Sequence, residues 1–230
     1  MFKNIFSLAG LFAALFIFTG CEAENSNDVA QDRIYCYYDL IYDANQGKTF
    51  ARAAFKFGNA LGTALELSDS SNVRFNGDLL TYQPTFAYYE KEYAGRVDTG
   101  SFVWVDADGN SFRNSIDISN NAVEFPASLD TISIAAAFEV FFTGIAVRAD
   151  EPVIVSIDGT AQNNLEIFTQ NNVSATSIIF AANQLQRLGL GNATAFIARE
   201  FNRTPTQVTS AGGNIKGKHQ GVNKTVVIIP

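Results

Sequence analysis

Residues able to do chemistry are few and scattered along this chain. Asp98-Thr99-Gly100-Ser101 sets a carboxylate on a tight turn ahead of the apolar run Phe102-Val103-Trp104-Val105. Asp106, Asp108 and Asn110 follow at alternate positions, and Asp117 falls twelve positions from Asp106, counted inclusively. Together they offer the oxygen ligands that a hard cation takes. His219 is the single histidine. Tyr82, Tyr88, Tyr89 and Tyr93 gather around Glu90, Lys91 and Glu92. Rings exposed on a loop or edge there could stack on sugars. Cys21 and Cys36 are the two cysteines.

Each group has a plainer reading beside the chemical one. Asp98-Thr99-Gly100-Ser101 resembles the active-site loop of aspartic proteases, in which two carboxylates at close quarters share one proton. No second Asp-Thr-Gly or Asp-Ser-Gly occurs in the chain. A two-lobed enzyme is therefore excluded on this pattern, and an aspartic-type hydrolase would need a homodimer with one Asp98 per chain. Arg96 and Phe102 depart from the family pattern, and a turn into a strand over 101–106 explains the same residues. Asp106-Ala107-Asp108-Gly109-Asn110 resembles a calcium loop, but Ser111 stands where the EF-hand requires glycine, and the flanks read as strands. A hairpin turn accounts for Asp108-Gly109 without metal. His219 lies among Gly217, Lys218, Gln220 and Gly221, a turn-like setting, with no second histidine or cysteine pair to complete a zinc site. No Gly-x-Ser-x-Gly elbow is present either. The tyrosine group is equally what alternation of core and surface residues along a strand produces. The expectation is a non-enzyme with no cofactor, weak calcium candidates at Asp106, Asp108, Asn110 and Asp117, and weak ligand-stacking candidates at Tyr82, Tyr88, Tyr89 and Tyr93.

The N-terminus is more specific. Lys3 precedes an almost wholly apolar run over 5–18. That is short of the roughly 20 residues a membrane-spanning helix needs, and it has the form of a signal-peptide core. Phe18-Thr19-Gly20-Cys21 closes the run and resembles the bacterial lipobox, with Phe18 where an aliphatic residue is usual. The resemblance implies removal of residues 1–20, a diacylglycerol on the Cys21 sulfur and a further acyl chain on its new amino group. Two or more chains hold a protein stably on a bilayer. The implied place is the bacterial cell envelope, with Glu22 rather than Asp after the cysteine favouring the outer membrane, facing the periplasm or the cell surface. With Cys21 lipidated, Cys36 has no disulfide partner. Its apolar setting, Ile34-Tyr35-Cys36-Tyr37-Tyr38, predicts a small core residue. Residues 22–32 are polar and acidic, which predicts a flexible spacer.

The bulk composition fits a folded body behind that anchor. The 230 residues include 20 Phe, only 17% are charged, and the net charge is −7. Scattered basic residues on an acidic chain argue against nucleic acid, whose phosphates need clustered Lys and Arg.

The elements that must position these residues are strands. Ala51, Ala53, Phe55 and Phe57 alternate with Arg52 and Lys56. Phe112, Ile116 and Ile118 alternate with Arg113, Ser115 and Asp117, and Ile132, Ile134, Ala136, Phe138, Val140 and Phe142 share one parity. Turn pairs recur at Asn76-Gly77, Asp108-Gly109, Asp158-Gly159 and Gly212-Gly213. One short helix is predicted over 181–188, ended by Gly189. The order of landmarks seen over 51–118 recurs over 132–228, which suggests tandem copies of one fold. The resulting expectation is all-β, with two tandem immunoglobulin-like antiparallel sandwiches. The parts are a signal peptide over 1–20, a lipidated cysteine and acidic tether over 21–34, and sandwiches over 35–121 and 122–230. The function expected is a membrane-tethered binding, adhesion or envelope-assembly module with a protein or glycan partner. Glycan binding and the Asp98 hydrolase stand as alternatives.

Overall fold

The computed structural model describes residues 23–68, 70–160 and 164–230. Cys21 and the apolar segment before it lie outside the described residues. The first half contains β1 (Glu24–Asn25), β2 (Ile34–Asp43), β3 (Lys48–Phe57), β4 (Ala64–Glu66) and β5 (Asn72–Phe75). It continues with β6 (Asp78–Leu79), β7 (Thr81–Gln83), β8 (Tyr88–Ala94), β9 (Thr99–Val105) and β10 (Ser111–Asp117). The second half contains β11 (Val123–Glu124), β12 (Thr131–Ser133), β13 (Phe138–Phe141), β14 (Thr143–Gly144), β15 (Val153–Asp158), β16 (Leu165–Gln170) and β17 (Ser177–Phe180). A single helical turn, α1 (Ala182–Leu185), leads to β18 (Gly191–Arg203), β19 (Gly213–Gln220) and β20 (Lys224–Ile229). The protein is all-β, as its alternating sequence predicts.

Alternation decides which side chains meet. In β2, Ile34, Cys36, Tyr38 and Leu40 are fully buried, while Tyr35, Tyr37, Asp39 and Ile41 point to the other face. β3 pairs antiparallel with β2 from Ile34 opposite Phe57 to Asp43 opposite Lys48, and it buries Ala51, Ala53 and Phe55 on the same side. The facing sheet runs β10-β9-β5-β6. Tyr38 stacks on Phe102 with centroids 4.9 Å apart, and Phe55 packs on Trp104 at the same separation. Each such ring, fully buried, contributes on the order of 1.5–3 kcal/mol.

The second core lies between the strand order β12-β20-β18-β15-β16 and the pair β13-β17. A first strand running parallel beside the last, followed by the next three strands, is the neighbour order of an immunoglobulin-type sheet. α1 carries the chain from one sheet to the other, placing Leu185 and Leu188 in the core.

One strand joins the halves. The first part of the 13-residue β18 pairs with β20, and its last part, Ala198 to Arg203, pairs with β19. β19 then lies parallel to β2, from Gly213 opposite Cys36 to Gln220 opposite Asp43. The sheet is thus continuous from β8 in the first half to β16 in the second. Phe201 and Ile215 are buried in the first core, although they come late in the sequence. The fit is close. A methyl group on Gly213 would sit 2.6 Å from Cys36 Sγ, and one on Gly217 would sit 2.5 Å from the Phe201 ring.

Three sequence expectations change. Residues 24–33 are not a free spacer. Ser26 is fully buried with its hydroxyl accepting from Ser68 N at 3.0 Å, and the Gln31 side chain bonds Ser26 O, Val29 O and Ala107 N. Polar residues here dock by hydrogen bonds to backbone rather than by apolar burial. The single strand expected over 132–142 is broken into β12 and β13, because residues 134–137 cross from one sheet to the other. His219 is not in a turn. It lies in β19 and is 3% exposed.

Candidate functional site

Asp98 ends a loop just before β9, and its Oδ1 accepts from Arg96 Nε at 2.5 Å. Arg96 also donates to the carbonyls of Ile118 and Ser119, so the pair clips this loop to the end of the first half. Gly100 is required by packing, since a methyl group there would lie 2.1 Å from Phe75 Cζ. Asp106, 1% exposed, accepts from Asn110 N at 2.7 Å and from Asn110 Nδ2 at 2.9 Å, which closes the β9–β10 hairpin. Asp108 is exposed in that turn. Asp117 pairs with Thr99 at the far end of the hairpin, roughly 20 Å from Asp106 at strand rise. The structure therefore does not bring the four oxygen-bearing residues together. Among the described residues no group of three or more His, Cys, Asp or Glu is placed to hold a metal. His219 Nε2 lies 3.2 Å from Glu124 Oε1, and burial lowers its pKa. Burial pushes the Cys36 thiol up to about 11, which keeps it an inert core group.

The tyrosine group divides by strand parity. Tyr89 points into the first core, where its hydroxyl accepts from Leu67 N at 2.6 Å and burial pushes its phenol up to about 12. Tyr93 packs on Phe75, with its hydroxyl within bonding distance of Phe75 O and Asp78 Oδ2. Tyr82 lies against Tyr89. These three pack in or against the first core. Tyr88 alone of the four points to the outer face of the large sheet.

On that face Tyr88 meets residues that its sequence neighbourhood does not reveal. The register sets Tyr37 opposite Ala54 and Asp39 opposite Arg52 on β2 and β3, with Arg52 opposite Glu90 on β8. Continuing the register from Ala53 opposite Tyr89 sets Tyr88 beside Ala54. Two tyrosines thus flank a strand that carries only alanine between them. The strands bearing them are roughly 10 Å apart. The result is a slot of about 210 Å³ lined by Tyr37, Asp39, Arg52, Ala53, Ala54 and Tyr88.

The walls are held by contacts within the protein. Tyr37 donates to Ala60 O at 2.9 Å and packs on Tyr35 with centroids 4.9 Å apart. Tyr88 stacks on Phe86, with rings 12° from parallel. The Arg52 guanidinium sits 5.1 Å from the Tyr88 centroid and 5.0 Å from that of Phe50, and Glu90 holds its Nε at 2.5 Å. Asp39 faces Lys216 at 3.8 Å. Burial raises the Asp39 carboxyl pKa, with Lys216 and Arg52 opposing. Apolar ring faces with a few fixed polar groups at one end are the ordinary make-up of a small-molecule site.

A larger cleft of about 500 Å³ lies between β9–β10 and the end of β18, lined among others by Ser101, Ser115, Asp117, Phe201 and Arg203. Both charged residues of its lining have partners within the protein: Asp117 accepts from Ser119 N at 2.8 Å, and Arg203 pairs with Glu151. Glu151, 2% exposed, takes Arg203 at 2.8 Å and Arg148 at 2.6 Å. We read it as a seam between the halves.

No protein-family model matches the sequence, and no curated protein matches it. Among solved structures, the chain is similar to SGBP-B of the Bacteroides ovatus mixed-linkage glucan utilization locus, determined with a mixed-linkage heptasaccharide (17% identity, TM-score 0.25, 90% of this chain and 47% of that one). It is also similar to a tetra-tandem repeat from the extending region of a large adhesion protein (14% identity, TM-score 0.25, 84% and 49%). A third likeness is to a 1.5-MDa bacterial ice-binding adhesin (14% identity, TM-score 0.24, 84% and 65%). The chain spans about half the length of the first two. Among the described residues no helix is long and apolar enough to cross a membrane.

Proposed function

We propose that this chain is a non-catalytic glycan-binding module, lipid-anchored through Cys21 in the bacterial envelope. The observation that carries the binding half is the Tyr37–Ala54–Tyr88 slot, with Arg52 and Asp39 at one end. A pyranose ring has one face of C–H bonds and a rim of hydroxyls. The C–H face suits the negative face of an aromatic ring, and the hydroxyls suit the mixed donors and acceptors of Arg52 and Asp39. Walls fixed in advance lower the ordering cost of binding. The anchor half is supported by Thr19-Gly20-Cys21 behind a short apolar run.

Two measurements test the two halves. A glycan array probed with residues 22–230 should give a signal that Tyr88→Ala weakens about tenfold, the equivalent of about 1.4 kcal/mol. Absence of any bound glycan would remove the binding half. Expression in bacteria fed a labelled fatty acid should label the wild type and not Cys21→Ala. Equal labelling of both would remove the anchor.

A further inference from the structure

The outer face that carries the tyrosine slot holds a second depression, of about 220 Å³, on the strands contributed by the other half of the chain. Its lining includes Ile197 and the side chains of Ile154, Ser156, Phe196, Glu200, Lys218 and Gln220. Those six point outward, because the inward positions of β15, β18 and β19 are taken by Val153, Val155, Ile197, Phe201, Ile215 and their neighbours. The registers connect the two depressions without a break. Asp39 stands opposite Lys216, Lys216 opposite Asn202, Ile41 opposite Lys218, and Lys218 opposite Glu200. Gln220 stands opposite Ala198, and Ala198 opposite Ile154. From the middle of one depression to the middle of the other is three strand spacings across and about five residues along. That is roughly 14 Å by 17 Å, or about 22 Å along the diagonal.

We infer that the ligand is an oligosaccharide rather than a single sugar, lying diagonally across the shared sheet, with Phe196 forming the distal stacking subsite. This rests on the reading of the Tyr37–Tyr88 slot as a sugar site. Three features favour such an occupant. Each depression is small, about 210 and 220 Å³, and has an aromatic wall or floor, whereas a standard protein partner covers about 800 Å² of surface on each side. The ground between them is polar, with Asp39, Lys216, Lys218 and Glu200 supplying donors and acceptors for successive hydroxyls. The charge along the strip cancels, with Asp39, Glu90 and Glu200 against Arg52, Lys216 and Lys218. On a chain of net charge −7, a locally balanced strip suits a neutral polymer better than an ionic one. No single-ring ligand reaches both depressions. The two halves of the chain meet in one continuous sheet, so their spacing is fixed and a linked ligand gains from touching both.

The test is calorimetric titration of residues 22–230 with ladders of neutral gluco-, manno- and xylo-oligosaccharides, from one to about ten units. The expected result is affinity that rises with length until the ligand can reach about 22 Å and then levels off. Phe196→Ala should weaken long oligomers about tenfold and leave the shortest binders unchanged, while Tyr88→Ala weakens every length. Lys218→Ala, at a second outward position, should repeat the Phe196 pattern. Affinity that is flat with length, or a Phe196→Ala loss equal at all lengths, would overturn the two-subsite inference and leave the slot standing. Failure of every ladder to bind the wild type would overturn both.

Discussion

Asp39 carries a carboxyl on the outer face where burial works against its charge. It sits on a strand whose inward partners already complete the core, yet its carboxyl is buried enough for its pKa to rise despite Lys216 and Arg52. A raised folded pKa means that the native state holds the proton more tightly than the unfolded chain does. Its contribution to stability is present below the ordinary carboxylate range, about 4, and is lost as pH rises through the folded value. Asp39→Asn should therefore melt at or above the wild-type temperature at pH 7, with the two curves converging below about pH 4. The same variant should bind glycan more weakly. The two outcomes together would mark the trade between stability and binding that is familiar at functional sites. Asp39→Asn melting well below wild type at neutral pH would contradict this. Of the four tyrosines singled out in the sequence, only Tyr88 reaches this face. Tyr82, Tyr89 and Tyr93 obey the plain rule that a half-buried strand sends alternate rings inward. Tyr37 and Arg52, which complete the slot, are far from Tyr88 in sequence, and only the pairing of β2, β3 and β8 brings them together.

At the scale of elements, β19 matters most, and the sequence hides it. Gly213, Gly217 and Gly221 within nine residues look like a loop, which is why His219 was expected in a turn. In the structure these glycines mark close approach of backbone and neighbouring side chains. Gly217 faces the Phe201 ring and Ile118 Cγ2, 2.5 Å and 2.6 Å from where a methyl group would lie. Neither neighbour can withdraw without opening the first core. Gly217→Ala should cost about 1–3 kcal/mol by overpacking. Urea titration should show this as a lower midpoint with an unchanged slope. An unchanged midpoint would show that the strand has room to move. The strands with clean alternation, β2, β3, β10 and β15, were legible because one face is buried and the other is not. The run over 132–142 misled because inward parity continues across the residues where the chain changes sheets.

At the scale of the whole molecule, all-β architecture with two packed cores could be read from the periodicity and turn spacing. The sharing of one sheet between the cores could not. It depends on β18 being twice the length of an ordinary strand and on β19 returning beside β2. That sharing predicts the mode of unfolding. Separate beads would melt independently, but here Phe201 and Ile215 belong to the first core while the strand carrying Phe201 also pairs with β15 and β20 over the second core. Residues 23–230 should unfold in a single calorimetric transition whose van't Hoff and calorimetric enthalpies agree. Two resolved transitions would contradict the shared sheet. The same continuous sheet sets the distance between the two outer depressions.

If this face binds glycan through the slot between Tyr37 and Tyr88, removing one wall must weaken binding. The most direct measurement is the affinity of the best array ligand for the wild type and for Tyr88→Ala, with the melting temperature of both recorded alongside. The prediction is a loss of about tenfold or more in affinity with little change in melting temperature, since Tyr88 lies outside the core. Equal affinities for the two proteins would contradict it.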